Sequence, residues 1–560
     1  MFALRTLSWP SWALFLFFVV GLAAGQDPTA AAPPPDPTET APLASARQRI
    51  VFDEFVDSLV RQERRLTDLM RSFQPIIETY IQEEGSQYRF QRGIILNGDD
   101  YFLSRLNLSG DSPSLMPFAD EETWYQGAEK FFVHDPLPFS QLGFAQALFP
   151  DFGHFDRQNY TFEFVHWELL GDVRCAVVDV RPHGNSKKRG FVGQIWVEDR
   201  NYGIVRFRGT FTSKGIAKRA FHFDSWRLNT MGIWWMPAYV YTEESKARDP
   251  SSHGLWFKAQ TRVWGYDLRN AGDDRENAKP TDAPEDFPDP SASETTYPLE
   301  DQVVERSQVA GLMAPDGEVN RILETVVNNL LITNNLDIAG IRCRVLLTTP
   351  LESFVVGRTI VLSRGLLDVL PNEAALAAVL AHELAHVVLG HAASSAYWRG
   401  FGLVVPDVEI FGALNFRFNR TEESDANKKG IELFSRSPYK GQFVSAGLFS
   451  KALETSSGRF PILLHGRFSN DFGSSGLVGM QARGADSSRV PKTSRLDQNS
   501  ALPIGSRIVL DPWSDRLELT KSRPAPLVSR AGKIPFEVTP FYPHLRRQDA
   551  PEKPPSGAQQ

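Results

Sequence analysis

The sequence predicts an α+β protein: an N-terminal, mainly antiparallel β region carrying one long helix, then a mainly helical region with a small sheet. Apolar residues recur at helical spacing near the start of the chain and again beyond residue 299, whereas between residues 88 and 267 the repeat shortens to two. A stretch at 271–298, rich in Asp, Glu, Pro, Ser and Thr with little to bury, reads as an acidic linker between the two regions. With 560 residues, 42% of them hydrophobic, the chain has enough apolar material for two cores.

Residues 1–25 carry Arg5, the apolar run from Trp12 to Val20, and the small residues Ala23, Ala24 and Gly25, which together read as a secretory signal peptide. No cysteine follows that would take a lipid anchor, and no later stretch is apolar for long enough to span a membrane. The expectation is therefore an exported protein, periplasmic or extracellular, with no transmembrane segment after signal cleavage. Residues 26–45 are Pro, Ala and Thr rich and read as a disordered linker. From Arg47 to Gln82 the residues Ile50, Phe52, Phe55, Leu59, Leu66, Leu69 and Phe73 fit one long helix, interrupted at Pro75.

Within the β region, 46–270, strands are expected at 176–181, 191–197, 203–211, 220–227, 234–242 and 256–266. Turns at 199–203 and 229–232 suit hairpins of an antiparallel meander. The aromatic residues Trp226, Trp234, Trp235, Trp256 and Trp264 read as core, with a lipid or acyl-chain groove as the alternative. Beyond the helical region, 299–455, a Gly, Ser and Pro rich extension runs from 456 to 547 with short strands near 507–510 and 516–519, and 548–560 reads as a disordered tail.

The chemistry concentrates between Ala375 and His391. His382, Glu383 and His386 form a His-Glu-x-x-His pattern on an alanine-rich helix that starts near Pro371 and Asn372. Residues four apart share a helix face, so the two imidazoles can meet one metal ion, while Glu383 sits about 100° round the helix, off the metal but close to water beside it. Two histidines and a glutamate on an apolar helix are costly unless paired or metal-bound.

A third ligand is needed. His391 stands nine positions after His382, one short of the long metzincin spacing, and is read as a helix-end group or a support for a ligand. The segment from Arg420 to Phe434 offers Glu422, Glu423 and Asp425 on a helix with Thr421 as its expected N-cap. Glu423 shares its face with Ala426, Asn427, Gly430 and Ile431, whereas Glu422 and Asp425 share theirs with Lys428 and Lys429, so periodicity selects Glu423.

These residues resemble the HtpX, BepA and CAAX prenyl protease type 1 family of gluzincin metallopeptidases. The likeness covers roughly residues 300–453 and includes strands at 344–348 and 359–363, the Glu352-Ser-Phe354 edge, Gly365-Leu-Leu, the zinc helix, and Glu423-Ser-Asp-Ala-Asn427. It implies a zincin-like domain, one Zn2+ per chain on His382, His386 and Glu423, and Glu383 as general base and later proton donor. It also implies that the strand near Thr359–Ser363 is an edge that takes substrate backbone by strand addition. Asn427 departs from the family, which usually has an aspartate there to orient a zinc-binding histidine. His465 and Arg467 are candidate oxyanion donors. The strands around Gln194, Gly203, Phe221 and Trp235 resemble LolA-like periplasmic domains by strand pattern, which implies lipid or lipoprotein contact.

A net charge of -7, with no basic patch, Walker loop or dinucleotide fingerprint, argues against nucleic-acid binding. Cys175 and Cys343, far apart and each in a strand pattern, read as buried free thiols, with an interdomain disulfide as the alternative. The sequence thus points to a zinc metalloendopeptidase of exported or envelope proteins, with protein or peptide substrates and a role in protein quality control. The alternative is a metal-binding, chaperone-like or lipoprotein-handling envelope protein.

Overall fold

Helix α1 (Thr40–Met70) stops short of Pro75, and the chain that follows turns into strand β1 (Ile76–Glu84) instead of continuing the helix to Gln82. Ile76, Ile77, Tyr80 and Ile81 have the spacing of a helix face, but every described residue of β1 is buried, as in a strand covered on both sides. The computed structural model describes residues 40–84, 98–110, 112–117, 141–183, 190–212, 221–230, 234–244, 256–266, 299–391 and 416–464, with short pieces between 466 and 547. The expected signal peptide, the acidic linker 271–298, the tail and most of the 26–45 linker lie outside the described residues. The chain separates into two compact units, Met1–Asp53 and Glu54–Gln560; the described part of the first is the start of α1.

In the second unit, β1 joins β2 (Asp99–Asn107), β3 (Ser114–Pro117), β4 (Tyr160–Leu170), β5 (Val173–Pro182), β6 (Phe191–Glu198), β7 (Ile204–Phe211), β8 (Phe223–Thr230), β9 (Trp234–Glu244) and β10 (Trp256–Trp264) in one ten-stranded sheet. Its order is β3-β2-β1-β10-β9-β8-β7-β6-β5-β4, antiparallel throughout. The meander expected from the hairpin signals is present, and β1 to β3, together with β4, extend it beyond the strands read from the sequence.

Val56, Leu59, Leu66 and Met70 form the buried stripe of α1, and Glu63 stands in the same stripe. Its carboxylate accepts two hydrogen bonds from the guanidinium of Arg227 on β8, at 2.6 and 2.7 Å, and both side chains are almost fully buried. Trp196, Trp226 and Trp235 belong to another buried cluster, with Val205 and Leu545. Arg206 is held between the rings of Trp196 and Trp226, 4.4 Å from each centroid, and grips Asp224 with two bonds. Trp226, Trp235 and Trp264 are buried. Strand β4, at one end of the sheet, instead exposes Phe164, Val165, Trp167 and Leu169.

The later half contains α2 (Leu299–Val309), α3 (Glu318–Thr333), β11 (Arg342–Leu346), β12 (Ser353–Val356), β13 (Thr359–Ser363), α4 (Arg364–Val369), α5 (Glu373–Leu389), α6 (Arg420–Arg436), α7 (Phe443–Ser456) and α8 (Pro461–Leu464). Strands β11 to β13 form a three-stranded sheet in the order β11-β13-β12. Thr359–Ser363 is therefore the middle strand, paired with parallel β11 and antiparallel β12, and cannot be an edge. Helix α5 lies among α3, α6, α7 and β12. Ile508–Leu510 and Leu517–Leu519 pair as a short hairpin.

One buried apolar cluster includes Ile76, Tyr80, Tyr101, Tyr241 and Trp264 from the large sheet and Ala375, Ala377, Ala378, Ala381 and Ala385 of α5. Polar bonds cross the same boundary: Trp264 donates to the Gly311 carbonyl at 2.8 Å in a buried bond, and Arg262 meets Asp368 at 2.9 Å in a half-buried one. Cys175 and Cys343 are free and buried. Among the described residues no helix is long and apolar enough to cross a membrane.

Candidate metal centre

Helix α5 starts where Asn372 accepts a hydrogen bond from the Ala375 amide at 3.0 Å, and it ends at Gly390, whose φ of 69° is the left-handed cap that glycine adopts without strain. Every residue from Ala374 to His386 is buried. Small side chains admit the neighbouring helix closely: a Cβ at Gly430 of α6 would stand 3.0 Å from the His382 Cα and 3.1 Å from the Ala381 carbonyl oxygen. Asn419, not Thr421, caps α6. Its side chain accepts from the amides of Thr421 and Glu422, and the Glu422 carboxylate accepts from the Asn419 amide, completing a capping box. This cap sits two residues earlier than the expected one.

The close crossing brings Glu423 to the two histidines. His382 Nε2 and His386 Nε2 are 3.3 Å apart, and Glu423 lies 3.5 Å from the first through Oε2 and 3.7 Å from the second through Oε1. Tetrahedral zinc with bonds near 2.0–2.1 Å separates its ligand atoms by about 3.3 Å, so the two imidazole nitrogens and the Glu423 carboxylate lie at separations close to those of such a site. Three lone-pair donors converging on one buried point repel one another unless a cation or a proton lies between them. Among the described residues His382, His386 and Glu423 are the group of three able to hold a metal ion. Glu422 is used in the cap, and Asp425 pairs with Lys428 at 3.1 Å.

Each histidine has its own support. Nδ1 of His391 is 3.0 Å from Nδ1 of His386, and the Phe418 ring stacks on the His386 imidazole at 3.8 Å. With His386 donating from Nδ1, its Nε2 lone pair faces the cluster. Asn427 acts on His382, whose buried Nδ1 has no partner within hydrogen-bonding geometry among the described residues. Burial pulls the His382 imidazole down, but the carboxylate of Glu423, the charge of Glu383 and the side chain of Asn427 outweigh it, and the net shift is upward. Burial, with the charges of His382 and His391, pulls His386 down to about 2, so it stays neutral with a lone pair to give. A neutral His386 beside the Glu423 carboxylate therefore presents a lone pair that a metal ion can take up.

Glu383 is buried, and burial, chiefly, pushes its carboxyl up to about 7, against the lowering influence of His382 and of its bond to Ser353. Ser353 Oγ, at the start of β12, donates to Glu383 Oε1 at 2.5 Å. The sequence reading missed this contact, because nothing in the spacing of Ser353 and Glu383 marks it; it arises from β12 being the outer strand of its sheet and packing on α5. His465 and Arg467 lie outside the described residues.

Residues 315–450 match the model of peptidase family M48. The M48 region includes β11 to β13, α5 and α6, and with them His382, Glu383, His386, Glu423, Asn427 and Ser353. The match supports a metallopeptidase, on residues that the geometry independently brings to one point. No curated protein matches the chain.

Proposed function

We propose that the protein is a zinc-dependent metalloendopeptidase acting on exported or envelope proteins, with one Zn2+ per chain, in protein quality control. The observation that carries this reading is the convergence of His382, His386 and Glu423 at near-tetrahedral separations, with Glu383 one helical step away. Zinc bound there supplies a Lewis acid for the peptide carbonyl and makes water a stronger nucleophile near neutral pH. His382 and His386 present Nε2, and Glu423 its carboxylate. Ser353 holds Oε1 of Glu383, leaving Oε2 to accept the proton of the attacking water and pass it to the departing amine. A carboxyl pushed up to about 7 suits both halves of that transfer. Substrate strand addition, if it follows the family resemblance, belongs to the outer strand β12 rather than to β13. Export follows from the signal-like segment 1–25.

The direct test is Glu383→Gln, which removes the base and no ligand. Peptide hydrolysis should fall by at least about a thousandfold while about one zinc per chain remains. A variant that keeps near wild-type rates would remove Glu383 from the mechanism.

A second reading, a chaperone-like or lipoprotein-handling protein with weak or no turnover, is favoured by strand β4. It ends the large sheet and exposes Phe164, Trp167 and Leu169. Such a row suits an acyl chain or an unfolded segment. Binding of lipid or polypeptide without any chelator-sensitive cleavage would favour it.

A further inference from the structure

Two buried carboxylates of the large sheet hold the loop that leads to Ser353, Glu78 by bonding Thr349 directly and Asp99 indirectly, through the backbone of Leu463. Glu78 on β1 accepts hydrogen bonds from the Thr349 amide at 2.5 Å, the Thr349 hydroxyl at 2.7 Å and the Tyr101 hydroxyl at 2.6 Å. Asp99 on β2 accepts from the amides of Ile462 and Leu463 at 3.0 and 2.8 Å, and the Leu463 carbonyl in turn accepts from the Leu351 amide at 2.8 Å. The same loop is pinned from below, since the Gly365 amide donates to the Thr348 carbonyl and Ser363 bonds both backbone groups of Glu352. Four residues after Thr349 the chain presents Ser353 to Glu383.

Glu78 is 1% exposed and Asp99 0% exposed. Burying a carboxylate is expensive unless it is bonded, and a bonded buried carboxylate tolerates little displacement of its donors. We propose that Ser353 is a positioning residue for Glu383, and that Glu78 and Asp99 make the large sheet a working part of the centre by fixing the loop that delivers Ser353. The proposal rests on the peptidase reading for its activity readout only. Ser353 holds one carboxylate oxygen and so fixes where the other points.

The experiment compares wild type, Ser353→Ala, Ser353→Thr, Glu78→Gln and the double variant Glu78→Gln with Ser353→Ala. An unfolded casein peptide is the substrate, zinc per chain is measured alongside, and amide hydrogen exchange is followed by mass spectrometry. Ser353→Ala should lower kcat about tenfold, the value of one hydrogen bond to a charged group, with KM and zinc content unchanged. Ser353→Thr, which keeps the hydroxyl, should restore most of the rate. Glu78→Gln should also lower kcat and add little to Ser353→Ala. It should speed exchange in peptides spanning 347–356 and leave those spanning 318–333 as they were. Unchanged kcat in Ser353→Ala, no rescue by threonine, fully multiplicative losses, or exchange that is unaltered or rises equally in both segments would each overturn the proposal. If wild type cleaves nothing, the peptidase reading falls, and the exchange comparison still decides whether Glu78 holds the loop.

Discussion

Glu423 reaches the two imidazoles from a helix other than their own, so its contribution can be separated from theirs by single substitutions. Glu423→Ala should weaken zinc binding by more than the 10–100-fold that loss of a supporting residue costs. Glu422→Ala and Asp425→Ala should change it little, because one serves a helix cap and the other pairs with Lys428. Zinc titration against a competing chelator gives the comparison, and equal losses from all three would mean that α6 presents a different face. Asn427→Asp should tighten zinc, since a charged partner makes the His382 lone pair a stronger donor. The sequence revealed these residues because helical periodicity is local: the faces of α5 and α6 follow from spacing alone. Ser353 stayed hidden because its partner depends on which strand of the small sheet lies outermost, a matter of tertiary pairing.

The elements divide along the same line. The helix carrying His382 and His386 was legible with its start near Asn372, and the strands β5 to β10 were legible from their alternation. Strand β1 was not: Ile76, Ile77, Tyr80 and Ile81 suit a helix face equally well, and burial on both sides erased the alternation that marks a strand. Strand β4 was missed for the opposite reason, since its residues from Phe164 to Trp167 are exposed on both faces and carry no alternating core. Helix α1 meets the sheet through Glu63 and Arg227, whose side chains are 3% and 0% exposed. Glu63→Ala should destabilise the fold by about 3–5 kcal/mol, because it leaves the guanidinium buried without its carboxylate. Urea unfolding measures this. Replacing Glu63 and Arg227 together by methionine should recover most of the loss, and equal instability of the single and double variants would show that the pair itself is not what anchors α1.

For the molecule as a whole, sequence periodicity showed an antiparallel β region followed by a helical region, and the fold has both. It could not show that the large sheet and α5 share one buried apolar cluster, that Glu78 reaches across to Thr349 in the loop before Ser353, or that Asp99 holds the backbone of Ile462 and Leu463 beside that loop. Those contacts join residues more than 250 positions apart, which no local pattern encodes. The proposed function requires a metal ion at His382, His386 and Glu423 that the protein uses to cut polypeptide. The measurement that bears on this most directly is cleavage of unfolded casein by the purified full chain, before and after a zinc chelator and again after zinc is restored. A zinc peptidase should carry about one zinc per chain in the active sample, lose cleavage with the chelator, and regain it with zinc. Cleavage that persists in fully zinc-free protein, or a zinc-loaded chain that never cleaves, would contradict the proposed function.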